Sequence, residues 1–292
     1  MTTPRLPLNL HLQQLLYLVE VERGPTLSAA AERLHVSQPA LSQSLAELER
    51  RLGVRLYERR GHGRVLTAEG RELTAFARRV LGDAREVGGR LLLGRDGEAG
   101  ELRVGMIDAA SLYVLPQAVR RFRALHPGVA LRLEVADSAA LLERLREHSL
   151  DLVFVTGPLD GGSLASQRIH DEPLYLYAPP GHRGSLQDVD WVLYPQGSRT
   201  RRAIDAALLE RSITPRVMLE SVNPQVLRQM VALGLGCSIL PAAVAETGEA
   251  RLRRRRGGAI TTRSLLAVFR PSNEADPRVR AFVETARARG RR

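Results

Sequence analysis

Residues 28–53 read SAAAERLHVSQPALSQSLAELERRLG, and this pair of short helical patterns joined by a tight turn constrains the fold more than any other feature. Thr26 is the expected N-cap of a first helix that ends at Leu34, and Ser37 is the expected N-cap of the second. Apolar residues recur at helical spacing along one face of the second helix. They are Leu41, Leu45, Leu48 and Leu52.

The opposite face of the second helix is polar and uncharged. In a helix-turn-helix the N-terminal half of this helix enters a major groove of DNA. There Gln can form two hydrogen bonds with adenine, and Ser can accept or donate a hydrogen bond. The candidates for base contacts are Gln38, Pro39, Ser42 and Gln43. The candidates for phosphate contacts are Ser37, Arg33 and Arg64. An ordinary helical hairpin with a solvated polar face is the alternative interpretation.

The flanking sequence favours the helix-turn-helix over the hairpin. A third helical pattern begins at Leu12, and residues 61–65 form a glycine-rich, basic turn with the layout of a wing. The segments AAERLHVSQPALSQSLAELERRLGVRLYER and LTAEG resemble the N-terminal domain of the LysR-type transcriptional regulators. The resemblance implies a winged domain at 10–67 that binds double-stranded DNA, with its helix-turn-helix at about 27–46.

Residues 67–93 predict one long helix with Thr67 as its N-cap. Its apolar stripe includes Leu73, Phe76, Val80 and Val87. A single helix protruding from a small domain cannot bury such a stripe alone, so the pattern indicates a partner helix. In LysR-type regulators this linker helix pairs with its copy in a second subunit. The resemblance therefore implies that these residues pair two subunits, and that the protein is a homodimer or a homotetramer.

From residue 101 strands and helices alternate, which indicates parallel pairing with helical crossovers. Strands are predicted at 102–107, 130–135, 150–155, 174–178, 192–194, 216–219, 237–240 and 264–270. Helices are predicted at 112–125, 139–147, 200–211, 224–233 and 278–289. The pattern resembles the two-lobed α/β effector domain of the LysR family, a module of the periplasmic-binding-protein type. We define lobe I as residues 100–172 and 266–292 and lobe II as residues 173–265, which makes the whole chain α+β.

In such a domain a small-molecule effector lies between the lobes, where strands end and helix N-termini expose N–H groups. The residues predicted there are Asp108, Ala109, Ser111, Ser138, Ser198, Arg199, Thr200 and Asn223. LysR-type regulators often carry hydroxyls at the positions of Ala109 and Ser138, and only Ser138 fits. Asp108 disfavours a carboxylate effector unless Arg199 or Arg201 offsets its charge. Helix capping is the alternative role for Asp108, Ser138 and Ser198.

The formal net charge of +11 suggests a polyanionic partner, but its location weakens that argument. Residues 1–66 carry nine Arg and six Glu, whereas residues 251–292 carry thirteen Arg and three acids. Most of the excess therefore lies far from the helix-turn-helix. We expect the arginine-rich segment 251–256 to be a solvated loop rather than a nonspecific DNA contact.

No pattern in the chain supports catalysis. GxSxG, HExxH, a Walker loop and a Cys/His cluster with metal spacing are all missing, so no cofactor or metal is expected. The single cysteine, Cys237, suits a reducing cytoplasm, and no apolar run is long enough to cross a membrane. Two alternatives are a solute-binding protein and an α/β enzyme, each with an N-terminal helical dimerisation module. The lack of a signal-peptide pattern argues against the first, and the lack of a catalytic constellation argues against the second.

Overall fold

The computed structural model describes residues 10–24, 26–60, 63–92, 99–159, 161–248 and 251–288. The chain divides into two compact units, the first formed by residues 1–92 together with 146–149 and the second by residues 93–145 and 150–292. Each unit has its own buried hydrophobic clusters.

The first unit is a three-helix domain with a β-hairpin and a long helix. Its elements are α1 (Leu12–Glu22), α2 (Leu27–Leu34), α3 (Gln38–Leu52), β1 (Tyr57–Arg60), β2 (Gly63–Leu66) and α4 (Ala68–Leu92). Leu18, Leu41, Leu48 and Leu56 are fully buried in its core. The helix-turn-helix predicted from residues 28–53 is confirmed.

Side-chain caps fix where these helices start. The Thr26 hydroxyl accepts a hydrogen bond from the Ala29 amide at 3.2 Å, and the Ser37 hydroxyl accepts one from the Ala40 amide at 3.3 Å. Between the two helices His35 adopts a left-handed backbone with φ of 52°, which turns the chain sharply after α2. The predicted N-caps are therefore confirmed, because each hydroxyl satisfies an amide that the helix itself leaves unpaired.

The predicted wing is an antiparallel hairpin. β1 pairs with β2 so that Tyr57 lies opposite Leu66 and Glu58 lies opposite Val65. The tip residues Gly61 and His62 lie outside the described residues.

The long helix buries part of its apolar stripe within its own unit, which corrects one expectation. Leu73 and Val80 pack against the core of the first unit, whereas the side chains of Phe76 and Val87 are 38% and 46% exposed. The expectation that the whole stripe lacks an intramolecular partner is therefore wrong for Leu73 and Val80. The reason is that α4 runs alongside α1 and shares its core.

The strands of the second unit are β3 (Gly100–Met106), β4 (Val129–Val135), β5 (Leu152–Thr156), β6 (Ala165–Tyr177), β7 (Asp190–Leu193), β8 (Arg216–Glu220), β9 (Ser238–Pro241) and β10 (Thr261–Phe269). Six of them form one sheet in the order β4-β3-β5-β10-β6-β9, and β7 and β8 pair in parallel as a separate two-stranded sheet. The helices of the second unit are α5 (Pro116–Leu125), α6 (Ser138–Arg146), α7 (Arg199–Leu209), α8 (Pro224–Ala232), α9 (Ala242–Ala245) and α10 (Pro277–Arg287). β3 pairs in parallel with both β4 and β5, as the alternating pattern predicted.

The paired strands β6 and β10 pass from one lobe to the other. The first part of β6 pairs with β10, and its end pairs with β9 at Leu174–Tyr177. Ile169 packs in the lobe I core, whereas Leu174 packs in the lobe II core. The prediction gave this strand only at 174–178, because the polar run that precedes Pro173 lacks the alternation that marks a strand. The domain and lobe bounds themselves stay predictions.

Two local features also differ from the prediction. The expected helix at 112–125 is divided into a π-helical turn at Ala110–Val114 and α5, which begins at Pro116. Pro116 has no backbone N–H, so it starts a helix more readily than it continues one. The short helix α9 was not predicted.

The arginine-rich segment is partly anchored to lobe II. Leu252 is buried, and the Arg254 guanidinium lies 3.4 Å from the ring centroid of Tyr175. Arg254 also donates a hydrogen bond to Glu246 at 2.9 Å, and the Arg255 amide donates to the Leu176 carbonyl at 3.0 Å. The expectation of a wholly solvated loop is therefore wrong at these residues.

Candidate nucleic-acid interface and ligand cavity

The N-terminal half of α3 presents the polar face that the sequence predicted. Gln38, Pro39 and Gln43 are exposed, and Ser42 is half-buried. Leu41, Leu45 and Leu48 of the opposite face are buried and fix the rotation of the helix about its axis. Two long amide side chains are thus held outward on a rigid helix, which is the arrangement that base-edge recognition requires.

The residues predicted to contact phosphates have different environments. The Arg33 guanidinium donates to the Glu20 carbonyl at 2.7 Å and forms an ion pair with the Glu20 carboxylate at 3.3 Å. Its charge is therefore already engaged within the first unit. Ser37 is exposed and its hydroxyl caps α3. Arg64 lies on β2, and its side chain lies outside the described residues.

The second unit contains a cavity of about 770 Å³ lined by loops of both lobes. Seven of the eight residues predicted for a ligand site line it. From lobe I these are Asp108, Ala109 and Ser138. From lobe II they are Ser198, Arg199, Thr200 and Asn223.

Ser111 does not line this cavity. Its hydroxyl donates a hydrogen bond to the Asp108 carbonyl at 2.7 Å, within the turn that follows β3. The prediction placed Ser111 in the ligand site because it follows the strand closely. The π-helical turn that begins at Ala110 instead gives its hydroxyl a local partner.

Arg201 was the second candidate for offsetting Asp108, and the structure contradicts that role. Arg201 is buried, and its guanidinium contacts Asp205 at 2.7 Å, Glu220 at 2.6 Å and the Tyr194 carbonyl at 2.9 Å. It stabilises lobe II. Arg199 and Arg202 are the arginines of α7 that line the cavity.

Five polar residues of the cavity are not among the predicted ligand contacts: Asp137, Thr156, Tyr194, Arg202 and Arg263. Arg263 lies on β10 where the chain passes between the lobes, and its guanidinium forms a buried ion pair with Glu172 at 2.6 Å. It also donates to the Thr200 hydroxyl at 3.2 Å. Glu172 and Arg263 are paired in register on β6 and β10, but nothing local in the sequence predicts that pairing.

Asp108 has the most unusual electrostatic environment in the cavity. Its Oδ2 atom is buried and has no hydrogen-bond partner among the described residues. Burial raises the pKa of this carboxyl above its ordinary value, because the charged form loses hydration without gaining a donor. A ligand that donates a hydrogen bond to Asp108 would restore the lost interaction.

Within the described ranges, no three His, Cys, Asp or Glu side chains are grouped so that they could hold a metal ion. No helix in the described part of the chain combines the length and the apolar character needed to cross a membrane.

A winged helix-turn-helix unit and a two-lobed α/β unit with a cavity together define a DNA-binding regulator with an effector-binding domain. Comparison with known families gives the same class. The family described as "Bacterial regulatory helix-turn-helix protein, lysR family" matches residues 12–71, and the "LysR substrate binding domain" matches residues 95–291. The chain therefore belongs to the LysR family of transcriptional regulators, which are not enzymes or solute-binding proteins.

Individual relatives agree with this assignment. The chain is 30% identical over 292 residues to the RuBisCO operon transcriptional regulator of Allochromatium vinosum, covering 95% of each chain. It is 31% identical over 298 residues to the HTH-type transcriptional regulator YfeR of Shigella flexneri, covering 97% of this chain and 95% of the relative.

Solved structures of full-length regulators share the fold. A full-length variant of OxyR from Pseudomonas aeruginosa matches with a TM-score of 0.76 at 27% identity, covering 96% of this chain and 95% of that one. CbnR in complex with its target DNA matches with a TM-score of 0.68 at 27% identity, covering 96% and 99% of the two chains.

Proposed function

We propose that this regulator reads its operator through the exposed side chains of α3 and binds a small-molecule effector in the cavity between lobes I and II. Gln38, Pro39, Ser42 and Gln43 contact base edges in this proposal. Ser37 and Arg64 contact phosphates, and so does Arg33 once it exchanges its bonds to Glu20. A regulator of chromosomal operators works in the cytoplasm.

The observation that carries the DNA-binding proposal is the outward position of Gln38 and Gln43 on a helix whose opposite face is buried. A Gln side chain reaches the N6 and N7 atoms of adenine with two hydrogen bonds, and such a pair discriminates bases by about 1–3 kcal/mol. The similarity to CbnR, whose structure was solved in complex with its target DNA, supports the same mode of binding.

Assembly through α4 is the second part of the proposal. Phe76 and Val87 leave apolar surface exposed on a helix that a second copy can cover, and Leu73 and Val80 flank that surface. A dimer places two copies of α3 about 34 Å apart, one turn of the double helix, so that both enter successive major grooves. We propose that the DNA-binding unit is a homodimer, either on its own or as half of a homotetramer.

The effector site is the third part. Asp108, Ala109, Ser138, Ser198, Arg199, Thr200 and Asn223 contact the effector in this proposal, together with Thr156 and Arg202. Ser111 is not included. Effector binding favours one arrangement of the lobes and so changes the contacts with DNA.

Substitution of Gln38 by alanine tests base recognition. The operator is first selected from random DNA by the wild-type protein, and gel-shift affinities are then measured for the operator and for random DNA. We expect Gln38→Ala to weaken operator binding by about 1–3 kcal/mol and to leave binding to random DNA nearly unchanged. Gln229→Ala, at an exposed glutamine of α8, is the matched control and should leave both affinities unchanged. Equal losses on both DNAs would show that Gln38 only positions the backbone.

A further inference from the structure

The two walls of the cavity carry ionisable groups of opposite sign. Lobe I contributes the carboxyl groups of Asp108 and Asp137, and lobe II contributes the guanidinium groups of Arg199 and Arg202. The Nε of Arg199 also donates a hydrogen bond to the Pro158 carbonyl at 2.8 Å. The Arg263 guanidinium is paired with Glu172 at 2.6 Å. We call the lobe I side the acidic wall and the lobe II side the basic wall.

The helix N-termini around the cavity reinforce this polarity. The Asp137 carboxylate caps α6 by accepting the amides of Ala139 and Ala140 at 2.9 and 3.0 Å, so a negative charge already occupies that helix end. The N-terminus of α7 is capped by the neutral hydroxyl of Ser198, which accepts the Arg201 amide at 3.1 Å. The positive end of the α7 dipole thus remains without a compensating anion from its own cap.

Polar side chains on the basic wall are suited to an anion. Tyr194 lines the cavity at 4% exposure, and burial raises the pKa of its hydroxyl, which therefore stays protonated. Thr200 lies in the first turn of α7, where its hydroxyl accepts a hydrogen bond from Arg263 at 3.2 Å and can donate its own proton elsewhere.

The acidic wall lacks a donor. Asp108 Oδ2 is buried without a hydrogen-bond partner among the described residues, and such an atom costs free energy until a partner reaches it. The Asp137 carboxylate differs, because two backbone amides already satisfy its Oδ1. Asp108 is thus the group on this wall that a ligand donor would satisfy.

We propose that the effector is a dipolar small metabolite with an anionic group at one end and a hydrogen-bond donor, an ammonium or a hydroxyl, several atoms away. The anionic group lies at the N-terminus of α7 beside Arg199 and Thr200, and the donor lies at Asp108. This inference rests on the proposed effector site. A volume of about 770 Å³ is within the range of cavities that enclose ligands of metabolite size.

A matched set of compounds tests the proposal on the full-length protein. Each of several four- to six-carbon skeletons, substituted at the end opposite the carboxylate, is supplied as the amino acid, the hydroxy acid, the unsubstituted carboxylic acid, the amine and the amino acid amide. Thermal shift identifies binders, and calorimetry gives their affinities. We expect the best binder to be an amino acid or a hydroxy acid. Conversion of its carboxylate to the amide should weaken binding about 10- to 100-fold, because a charge-assisted interaction is lost.

Asp108→Asn separates the two kinds of donor. It should lower the affinity for the amino acid about 10- to 100-fold and the affinity for the hydroxy acid about 2- to 10-fold. The reason is that a hydrogen bond between two charged groups is stronger than a hydrogen bond from a neutral donor. Asp188→Asn, at an exposed carboxylate outside the cavity, is the control and should change neither affinity. The unsubstituted carboxylic acid, which lacks the donor, probes the same contact on the wild-type protein without any variant that must fold.

The outcomes separate this inference from the proposed function. The dipolar assignment is overturned if the best binder is a plain carboxylic acid or a plain amine. It is also overturned if the Asp108→Asn variant binds the best amino acid or hydroxy acid as tightly as the wild type does, or more tightly. The effector site still stands in that case if Thr200→Val lowers the affinity. If no compound raises the melting temperature, the dipolar assignment is also overturned, whereas DNA recognition is judged by the gel-shift experiment alone.

Discussion

At the residue scale, Cys237 lies directly before β9, fully buried in the lobe II core beside Trp191. Burial raises the pKa of its thiol to about 11, because the thiolate would lose its hydration there, and the charge of Arg255 only partly offsets this. A thiol with such a pKa is almost entirely protonated at neutral pH and is a poor nucleophile. This environment makes Cys237 an unreactive residue of the lobe II core.

We therefore expect Cys237 to resist alkylation in the native protein. Iodoacetamide at pH 7.5 should label the native chain at least about 100-fold more slowly than the chain unfolded in urea, since both the thiolate fraction and access fall on burial. Mass spectrometry of timed samples measures both rates. Labelling at similar rates would show that the thiol is accessible and ionised in the folded protein.

Asp108 gives a pH-dependent prediction about stability. Its pKa in the folded protein lies above the ordinary value of 3.8, so folding favours the protonated carboxyl. The resulting contribution to stability is fully present below 3.8 and is lost as the pH rises through the folded-state pKa. Asp108→Asn removes this loss. The variant should therefore gain melting temperature relative to the wild type between pH 4 and pH 7, without ligand.

Thermal melts of the two proteins across this pH range, followed by circular dichroism, measure the difference. Asp188→Asn is again the control, since its carboxylate is exposed. A difference in melting temperature between the wild type and Asp108→Asn that stays constant with pH would show that Asp108 has an ordinary pKa.

At the scale of elements, α4 combines two roles in one helix. Ala77 is fully buried and Leu73 and Val80 pack against the first unit, whereas Phe76 and Val87 remain exposed. Positions three and four residues apart share a helix face, so the buried and the exposed residues belong to adjoining stripes. The helix is thus fixed to its own domain along one stripe and leaves the other for a partner.

Phe76→Glu tests the exposed stripe. A charge at this position would be buried in the proposed dimer, whereas in the monomer it remains in water, so we expect a folded monomer with little affinity for the operator. Light scattering gives the mass and a gel shift gives the affinity. Glu72→Ala, at an exposed residue of the same helix, should remain dimeric. A Phe76→Glu protein that keeps its dimer would locate the interface elsewhere.

At the scale of the whole molecule, the buried clusters are confined to one unit each. The cluster of the first unit draws its fully buried members from residues 15–77, and those of the second unit draw theirs from residues 102–286. Hydrophobic burial is the main favourable term in folding, so each unit contains the cores that its own fold requires.

We therefore expect residues 99–292 to fold without the first unit. The fragment should unfold cooperatively by circular dichroism and should bind the same compounds as the full-length chain in calorimetry, because the cavity lies within the second unit. It should show no preference for the operator in a gel shift, since α3 is absent. A fragment that is unfolded in solution would show that the second unit depends on the first.

The sequence by itself determined the features that depend on near neighbours. Thr26 and Ser37 cap helices whose amides lie three residues away, and the leucines of α3 repeat at helical spacing. The strand–helix alternation likewise predicted the parallel pairing of β3 with β4 and β5. The resemblance to the two-lobed effector domain led to the eight predicted ligand-site residues, of which seven line one cavity. The caps and the leucine repeat are readable from the sequence because they involve only residues of one helix and the turn before it.

The tertiary structure alone decided which residues reach the cavity and which residues are buried. Arg263 reaches the cavity and pairs with Glu172, 91 residues away, because β6 and β10 lie side by side in register. Arg201 and Arg199 are alike in sequence, yet packing buries Arg201 against Glu220 and leaves Arg199 at the cavity. The same distinction applies to Leu73 and Phe76 on α4. These differences in burial depend on which surfaces pack together after folding, and the residues of those surfaces are distant in sequence.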